Sequence, residues 1–172
     1  MGADGGIAWF KLKKPNQKDR LIKLLALLNF QNLGSGTHWD NREEFLNKPE
    51  NSFLWSNEYI YGYEGSYSYG ATFESLRDII PAIKDGEVQK ELGYNQHEKN
   101  LSFGDIFLEK DTRPDWVYAH SYWCDKIIGW ADEAYLNDEE KKELFETNIV
   151  DWANEIDEIL EIKSYCYEET WT

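Results

Sequence analysis

The sequence is poor in the residues that most often bind metals, form cross-links or perform catalysis. Its 172 residues include two cysteines, three histidines, one methionine and four prolines. No Cys-x-x-Cys pair is present, which excludes a zinc site built on paired thiolates, and three scattered histidines argue against a histidine-rich metal site. The phosphate-binding GxxxxGK(S/T) motif, the GxGxxG dinucleotide motif, the GxSxG elbow and HExxH are missing too. We therefore expect neither a metal ion nor a cofactor.

Long apolar runs are also missing. The longest, Leu24–Leu28, is far shorter than the ~20 apolar residues that span a bilayer. The first residues lack the basic start and apolar core of a secretory signal, and Gly6 stands where a myristoylation signal needs serine or threonine. Two cysteines, Cys124 and Cys166, without such a signal are typical of reduced thiols. These features predict a cytoplasmic protein with no membrane partner.

Positive charge is scarce, particularly towards the C-terminus. The chain has 33 acidic residues against 18 lysines and arginines, which gives a formal net charge of −15. Residues 1–50 carry a net charge of +2, residues 51–110 carry −5 and residues 111–172 carry −12. Such a charge repels nucleic acid and anionic membranes, so it argues against nonspecific binding to either. A basic protein is the partner that this charge favours.

Aromatic residues, by contrast, are abundant. They make up 16% of the chain and include 8 tryptophans and 11 tyrosines, a composition far too rich for a disordered acidic tail. A chain of this length buries roughly 70% of the surface that its unfolded state exposes. No internal repeat or low-complexity linker divides it. We expect one domain over residues 1–172, with residues 111–172 as a strongly acidic helical end.

The spacing of apolar residues predicts an α+β domain, in which a small antiparallel sheet packs against about four helices. Period-two alternation predicts an N-terminal strand, a tyrosine-rich hairpin and a C-terminal strand, at residues 5–13, 59–69 with a turn at 64–66, and 162–171. Helical spacing predicts four main helices, at residues 17–30, 72–86, 114–136 and 138–160. Pro81 is expected to bend or shorten its helix. A short helix at 41–47, closed by Lys48-Pro49-Glu50, and a mostly irregular segment at 87–109 complete the prediction.

Two small groups of residues are candidates for catalysis. His120 and Cys124 are four residues apart and share one helical face, where an imidazole can activate a thiol as a nucleophile. The apolar stripe around them favours the alternative that both fill the core. His38 and Asp40 lie on a glycine-rich loop and suit acid–base chemistry, unless Asp40 caps the loop with Trp39 packed inward. A small hydrolase or transferase using His38 and Asp40, or His120, is therefore the alternative function.

Tyrosines recur at every second position at the start of the predicted hairpin. Tyr59, Tyr61 and Tyr63 share one face if this segment is a strand. Tyrosine among glycine and serine is typical of adaptable binding surfaces, which would present Tyr61 and Tyr63 to a protein partner or, in a ligand-sensing module, to a nucleotide or sugar. The alternative is that this face of the sheet is buried. The sequence leaves both interpretations open.

The last predicted helix carries a row of carboxylates. They fall mainly on or beside the side opposite the apolar stripe and are Glu140, Glu143, Asp151, Glu155 and Glu158. Like charges at this spacing weaken a helix slightly, so a sequence that keeps them has a use for the resulting field. Carboxylates on a rigid helix can stand in for duplex phosphates and occupy a basic cleft. The alternative is an ordinary solvated face that aids solubility.

These observations lead to the hypothesis of a non-enzymatic binding protein. It would inhibit a basic, nucleic-acid-handling protein, such as a nuclease, by covering its site. In size and charge the chain resembles, in general terms, immunity proteins and anti-defence inhibitors, and this is a resemblance of composition alone. The expected contacts are the five carboxylates above together with Tyr61 and Tyr63, with no direct contact to nucleic acid.

Overall fold

A three-stranded antiparallel sheet with helices packed on one face forms the centre of the molecule. The computed structural model describes residues 5–26, 47–65, 73–91, 93, 101–105, 139, 142–143 and 146–171. The strands are β1 (Gly5–Leu12), β2 (Tyr59–Gly65) and β3 (Leu160–Trp171), in the order β2-β1-β3. The helices are α1 (Lys18–Ala26), α2 (Phe73–Lys84), α3 (Glu87–Glu91) and α4 (Ile149–Ile159). The predicted α+β class is confirmed.

The central strand β1 divides the apolar residues between two faces of the sheet. Ala8, Phe10 and Leu12 are buried in the main core, on the face that the helices cover. Ile7 and Trp9 point to the opposite face, because successive side chains of a strand alternate. Both faces of β1 are therefore covered.

The main core is built from one apolar stripe on each long helix. The helical spacing seen in the sequence is confirmed in the buried residues, which are Leu21, Leu24 and Leu25 of α1, Leu76, Ile79, Ile80 and Ile83 of α2, and Ile149, Trp152, Ala153, Ile156 and Ile159 of α4. Trp152 is the largest fully buried side chain in the described part of the chain, with 1% of its surface exposed. Its indole Nε1 donates a hydrogen bond of 3.0 Å to the Leu24 carbonyl. Its ring meets Phe103 edge-on, with centroids 5.4 Å apart, so one side chain connects three segments of the chain.

A 3₁₀ helix, Pro49–Trp55, covers the other face of the sheet. Phe53 lies edge-on between two strand residues, with ring centroids 5.8 Å from Trp9 and 4.9 Å from Tyr59. Lys48-Pro49-Glu50 was predicted to end a helix, whereas Pro49 begins this 3₁₀ helix. The ring of proline fixes φ near the helical value, so proline suits the first position of a helix. The short helix predicted at 41–47 lies almost wholly outside the described residues.

The turn predicted at residues 64–66 is wrong for its first two residues. Glu64 and Gly65 continue β2, opposite Gly6 and Gly5 of β1. The chain stays extended there because β1 supplies a pairing partner as far as its first residue. The second arm of the predicted hairpin lies outside the described residues, as does the helix predicted at 114–136.

Two predictions around α2 also need correction. The helix runs through Pro81 to Lys84, so Pro81 does not shorten it, and the bend that was the other expected effect stays a prediction. Gly86 follows the end of the helix, where the sequence indicates a stop, and its φ is 76°, a conformation that glycine adopts without the strain of a Cβ. The following residues form α3 rather than a loop, because Val88 and Gln89 turn into the core and Gln89 Nε2 donates to the Ile83 carbonyl at 3.2 Å.

The single helix predicted over 138–160 is interrupted at Thr147 and Asn148. Asn148 is extended, with φ −68° and ψ 131°, and forms an antiparallel bridge with Ser102. The backbone N–H of Phe103 donates to the Thr147 carbonyl at 3.1 Å, and that of Ile149 donates to the Leu101 carbonyl at 2.9 Å. Pairing with residues 101–103 therefore takes the place of continued helix, and α4 begins afresh.

Replacing Asn148 with alanine is expected to lower the free energy of unfolding by about 1 kcal/mol. Its Oδ1 accepts hydrogen bonds from the N–H groups of Val150 and Asp151, at 2.9 and 3.2 Å, and alanine leaves both without a side-chain acceptor. Urea unfolding measures the difference. Asn154→Ala, at an exposed position inside α4, is the matched control and should be neutral or slightly stabilising. Equal stability of the two variants would contradict the assigned cap.

Strand β3 bulges where it passes the end of β1. Between the pairs Trp9–Cys166 and Lys11–Glu161, β1 advances two residues while β3 advances five. The hydroxyl of Ser164 closes the gap: it accepts from the Lys11 N–H at 2.7 Å and donates to the Glu161 carbonyl at 2.6 Å. The extra residues displace β3 from a regular ladder.

Candidate partner-binding surface

The structure separates the predicted contact residues into two groups along the chain. Glu143 precedes the interruption at Asn148, whereas Asp151, Glu155 and Glu158 belong to α4. Glu140 lies outside the described residues. The carboxylates therefore do not form the single row on one helix that the sequence predicted.

Glu155 forms an ion pair with Arg20 of α1. Its carboxylate receives both Nε and a terminal nitrogen of Arg20, at 2.6 and 3.1 Å. The hydrogen bond to Glu155 raises the pKa of Arg20 above its ordinary value, against a smaller opposing effect of burial, so the guanidinium stays charged at any physiological pH. Both side chains are partly exposed, so the pair contributes at most about 1 kcal/mol. Glu155 connects α4 to α1 and presents a largely neutralised charge to solvent.

The other carboxylates of the second half of α4 also face cations of neighbouring elements. Asp157 Oδ2 lies 2.6 Å from Lys84 Nζ, at the end of α2. Glu158 Oε2 lies 3.7 Å from Lys14 Nζ, with both side chains well exposed. A helical wheel of α4 alone gives no sign of these partners, because each comes from a distant part of the sequence. The negative field of this half of α4 is consequently reduced.

Negative charge remains uncompensated at the preceding turns. Four exposed carboxylates form what we call the acidic segment: Glu139, Glu143, Glu146 and Asp151. Among the residues that the structure describes, none of the four forms an ion pair, although Glu143 acts at longer range on Arg20. Over 139–151 the sequence contains five acidic residues and two lysines, so the segment is negative as a whole. Glu139 and Glu146 belong to the acidic segment although they are not among the five carboxylates that the sequence predicted as contacts.

Tyr61 is buried rather than presented to solvent. It is 6% exposed and packs with Ile7 and Leu54, and its ring lies edge-on to Trp55 with centroids 6.4 Å apart. Of the two interpretations of the tyrosine repeat, the buried sheet face is therefore correct for Tyr61, which is withdrawn as a contact residue. The side chain of Tyr63 lies outside the described part of the chain.

Two exposed aromatic side chains were not anticipated. Trp55 is 58% exposed at the end of the 3₁₀ helix, and Tyr167 is 44% exposed on β3. Both lie in segments whose apolar spacing suits burial, so no pattern in the sequence distinguishes them from core residues. They add apolar area to a surface that is otherwise dominated by charge.

The candidate catalytic residues His38, Asp40, His120 and Cys124 all lie outside the described residues. Within the described ranges, no group of three or more histidine, cysteine, aspartate or glutamate side chains is arranged to hold a metal ion. No helix in the same ranges has the length and apolarity needed to cross a membrane. Neither the family models, nor the curated proteins, nor the solved structures compared with this chain include a match.

Proposed function

We propose that the protein is a non-enzymatic acidic binding protein that inhibits a basic, nucleic-acid-handling protein by occluding its site. The observation that carries the proposal is the division of the carboxylates between two uses. Those of the second half of α4 are paired with Lys14, Arg20 and Lys84, whereas the acidic segment keeps its charge exposed. An uncompensated negative field of this kind speeds and orients association with a positively charged site.

The backbone contacts of Glu143 and Asp151 support direct binding by the acidic segment. Asp151 lies in the first turn of α4, and its N–H is held by the cap at Asn148. Glu143 is tied to the same corner, because the Thr147 hydroxyl donates to its carbonyl at 2.8 Å. Carboxylates held on ordered backbone lose less conformational freedom on binding than those on a flexible tail. In the partner's site they would take the place of nucleic-acid phosphates.

The proposal places the protein in the cytoplasm, where nucleic-acid-handling partners occur. Cys166 is a free and exposed thiol, which suits a reducing compartment. Binding would then be a contact between folded proteins, governed by charge and therefore sensitive to salt.

Neutralising the acidic segment is expected to weaken partner binding by about tenfold or more, since truncating charges at such an interface costs more than 1.4 kcal/mol in favourable cases. The variant combines Glu143→Gln, Glu146→Gln and Asp151→Asn. The immobilised protein captures its partner from the source cell at low salt, and the purified pair is measured by calorimetry at several salt concentrations. We expect a basic partner, an affinity that falls as salt rises, and displacement of duplex DNA from the partner.

The matched control makes two Glu→Gln changes and one Asp→Asn change at exposed positions elsewhere: Glu50→Gln, Glu58→Gln and Asp78→Asn. It alters net charge equally and should change the affinity less than the acidic-segment variant does. Equal weakening by both sets would mean that total charge matters and not the segment. An affinity that does not respond to salt would overturn the electrostatic basis of the proposal.

A further inference from the structure

A groove of about 690 Å³ lies on a different part of the surface, between α2 and the start of β3. Its walls come from the end of β1, from α2, from the end of α4 and from the bulge of β3. The volume is within the range of small-molecule sites, which is about 300–1,000 Å³. The groove depends on the bulge of β3, because the β3 residues that line it, at positions 161–163, lie where the regular pairing with β1 is interrupted.

A backbone hydrogen bond and two ring contacts hold the segments that frame this groove. The N–H of Lys13 donates to the carbonyl of Ile159, the last residue of α4, at 2.7 Å. On the α2 side, the guanidinium of Arg77 lies over the ring of Tyr165, 4.4 Å from its centroid, and Tyr165 packs against Phe10 of the core with centroids 5.4 Å apart. The groove walls are thus anchored to both the sheet and the main core.

The charges in the groove are unusual for so acidic a protein. Lys13, Arg77 and Lys163 contribute three cations. Of the two carboxylates present, Asp157 is held at 2.6 Å by Lys84, which leaves Glu161. Neither Lys13 nor Lys163 forms an ion pair with any residue in the described ranges. Lys13 and Lys163 are therefore available for an anion.

We propose that this groove binds a phosphorylated sugar compound of the size of a nucleoside monophosphate. Lys13 and Lys163 would hold the phosphate, because charge-assisted hydrogen bonds from lysine suit phosphate oxygens. Glu161 would accept hydrogen bonds from sugar hydroxyls, a role for which a carboxylate beside lysines is suited. Pro81 and Ile162 give an apolar floor for the rest of the ligand. The site is separate from the acidic segment and has the opposite preference for charge.

Titration with adenosine monophosphate tests the proposal, followed by calorimetry and by backbone amide shifts in NMR spectra. We expect saturable binding with shifts centred on Lys13, Glu161 and Lys163. Lys13→Gln and Lys163→Gln should each weaken it by about tenfold or more, the value of one charge-assisted hydrogen bond. Lys90→Gln, at an exposed position on α3, is the matched control and should leave the affinity unchanged. Absence of saturation, or equal effects of all three variants, would overturn the site.

Glu161→Ala separates a sugar phosphate site from a simple anion site. If Glu161 binds hydroxyls, this variant weakens adenosine monophosphate and strengthens inorganic phosphate, because the alanine removes both an acceptor and a repelling charge. Stronger binding of both probes would reduce the groove to an anion site and would contradict the proposed ligand class. The acidic-segment variant should bind adenosine monophosphate as the unmodified protein does, so failure of either proposal leaves the other standing.

Discussion

Replacing Trp152 with alanine is expected to lower the free energy of unfolding by about 3–5 kcal/mol. The substitution empties the space that the indole fills between α1 and Phe103, and the surrounding helices cannot close it fully. It also removes the donor to the Leu24 carbonyl, a hydrogen bond that contributes about 1 kcal/mol. Urea or guanidinium unfolding, followed by circular dichroism, measures the change.

Two further variants separate the contributions at this position. Trp152→Phe keeps an aromatic ring but not the indole N–H, so it should cost less than Trp152→Ala. Trp55→Ala removes the same side chain from a position that is 58% exposed, and it should cost the least of the three. A loss below about 1 kcal/mol for Trp152→Ala, within the range typical of surface positions, would contradict its place at the centre of the core.

Replacing Gly6 with alanine is expected to destabilise the sheet by about 1–3 kcal/mol. A Cβ built on Gly6 would approach the Glu168 carbonyl carbon and the Tyr167 Cζ to 2.9 Å each, and it would collide with the Glu168 carbonyl oxygen. Glycine in a strand often marks such a close approach of another backbone. The midpoint of thermal unfolding should fall by several degrees, at about 2–4 °C per kcal/mol for a chain of this size.

The double variant Gly6→Ala with Tyr167→Ala shows which contact matters. The tyrosine ring can move aside, whereas the backbone of Glu168 is held by its pairing with β1. We therefore expect Tyr167→Ala to restore little of the lost stability. Full recovery in the double variant would show instead that the side chain, and not the strand backbone, excludes a larger residue at position 6.

The spacing of apolar residues predicted the strands and helices that bury one face along their own length. The alternation in β1 and β3 and the apolar stripes of α1, α2 and α4 could be derived from the sequence, because burial of one face imposes its own period. Gly86 ended its helix as expected, since a positive φ favours glycine at a specific place. Each of these features depends on residues within a few turns of one another.

The features that the sequence did not reveal depend on distant partners. Thr147 and Asn148 leave the helix because residues 101–103 pair with them. Glu155 faces Arg20, 135 positions away, so its predicted role as a contact could not be judged from α4 alone. The sequence left both an exposed and a buried environment open for Tyr61, and the 3₁₀ helix that covers this side chain decides between them. The candidate binding surface is therefore the acidic segment and not a row of carboxylates along one helix.

The pairing of β1 with β3 has a consequence for how the fold is reached. The bond between the Lys11 N–H and the Ser164 hydroxyl spans 153 positions of the chain, and the whole length of β1 takes its neighbour from the last element described. Closing so long a loop is entropically costly and slow compared with forming the helices. We therefore expect the central strand to stay half paired until late in folding, and the first and last strands to become ordered together.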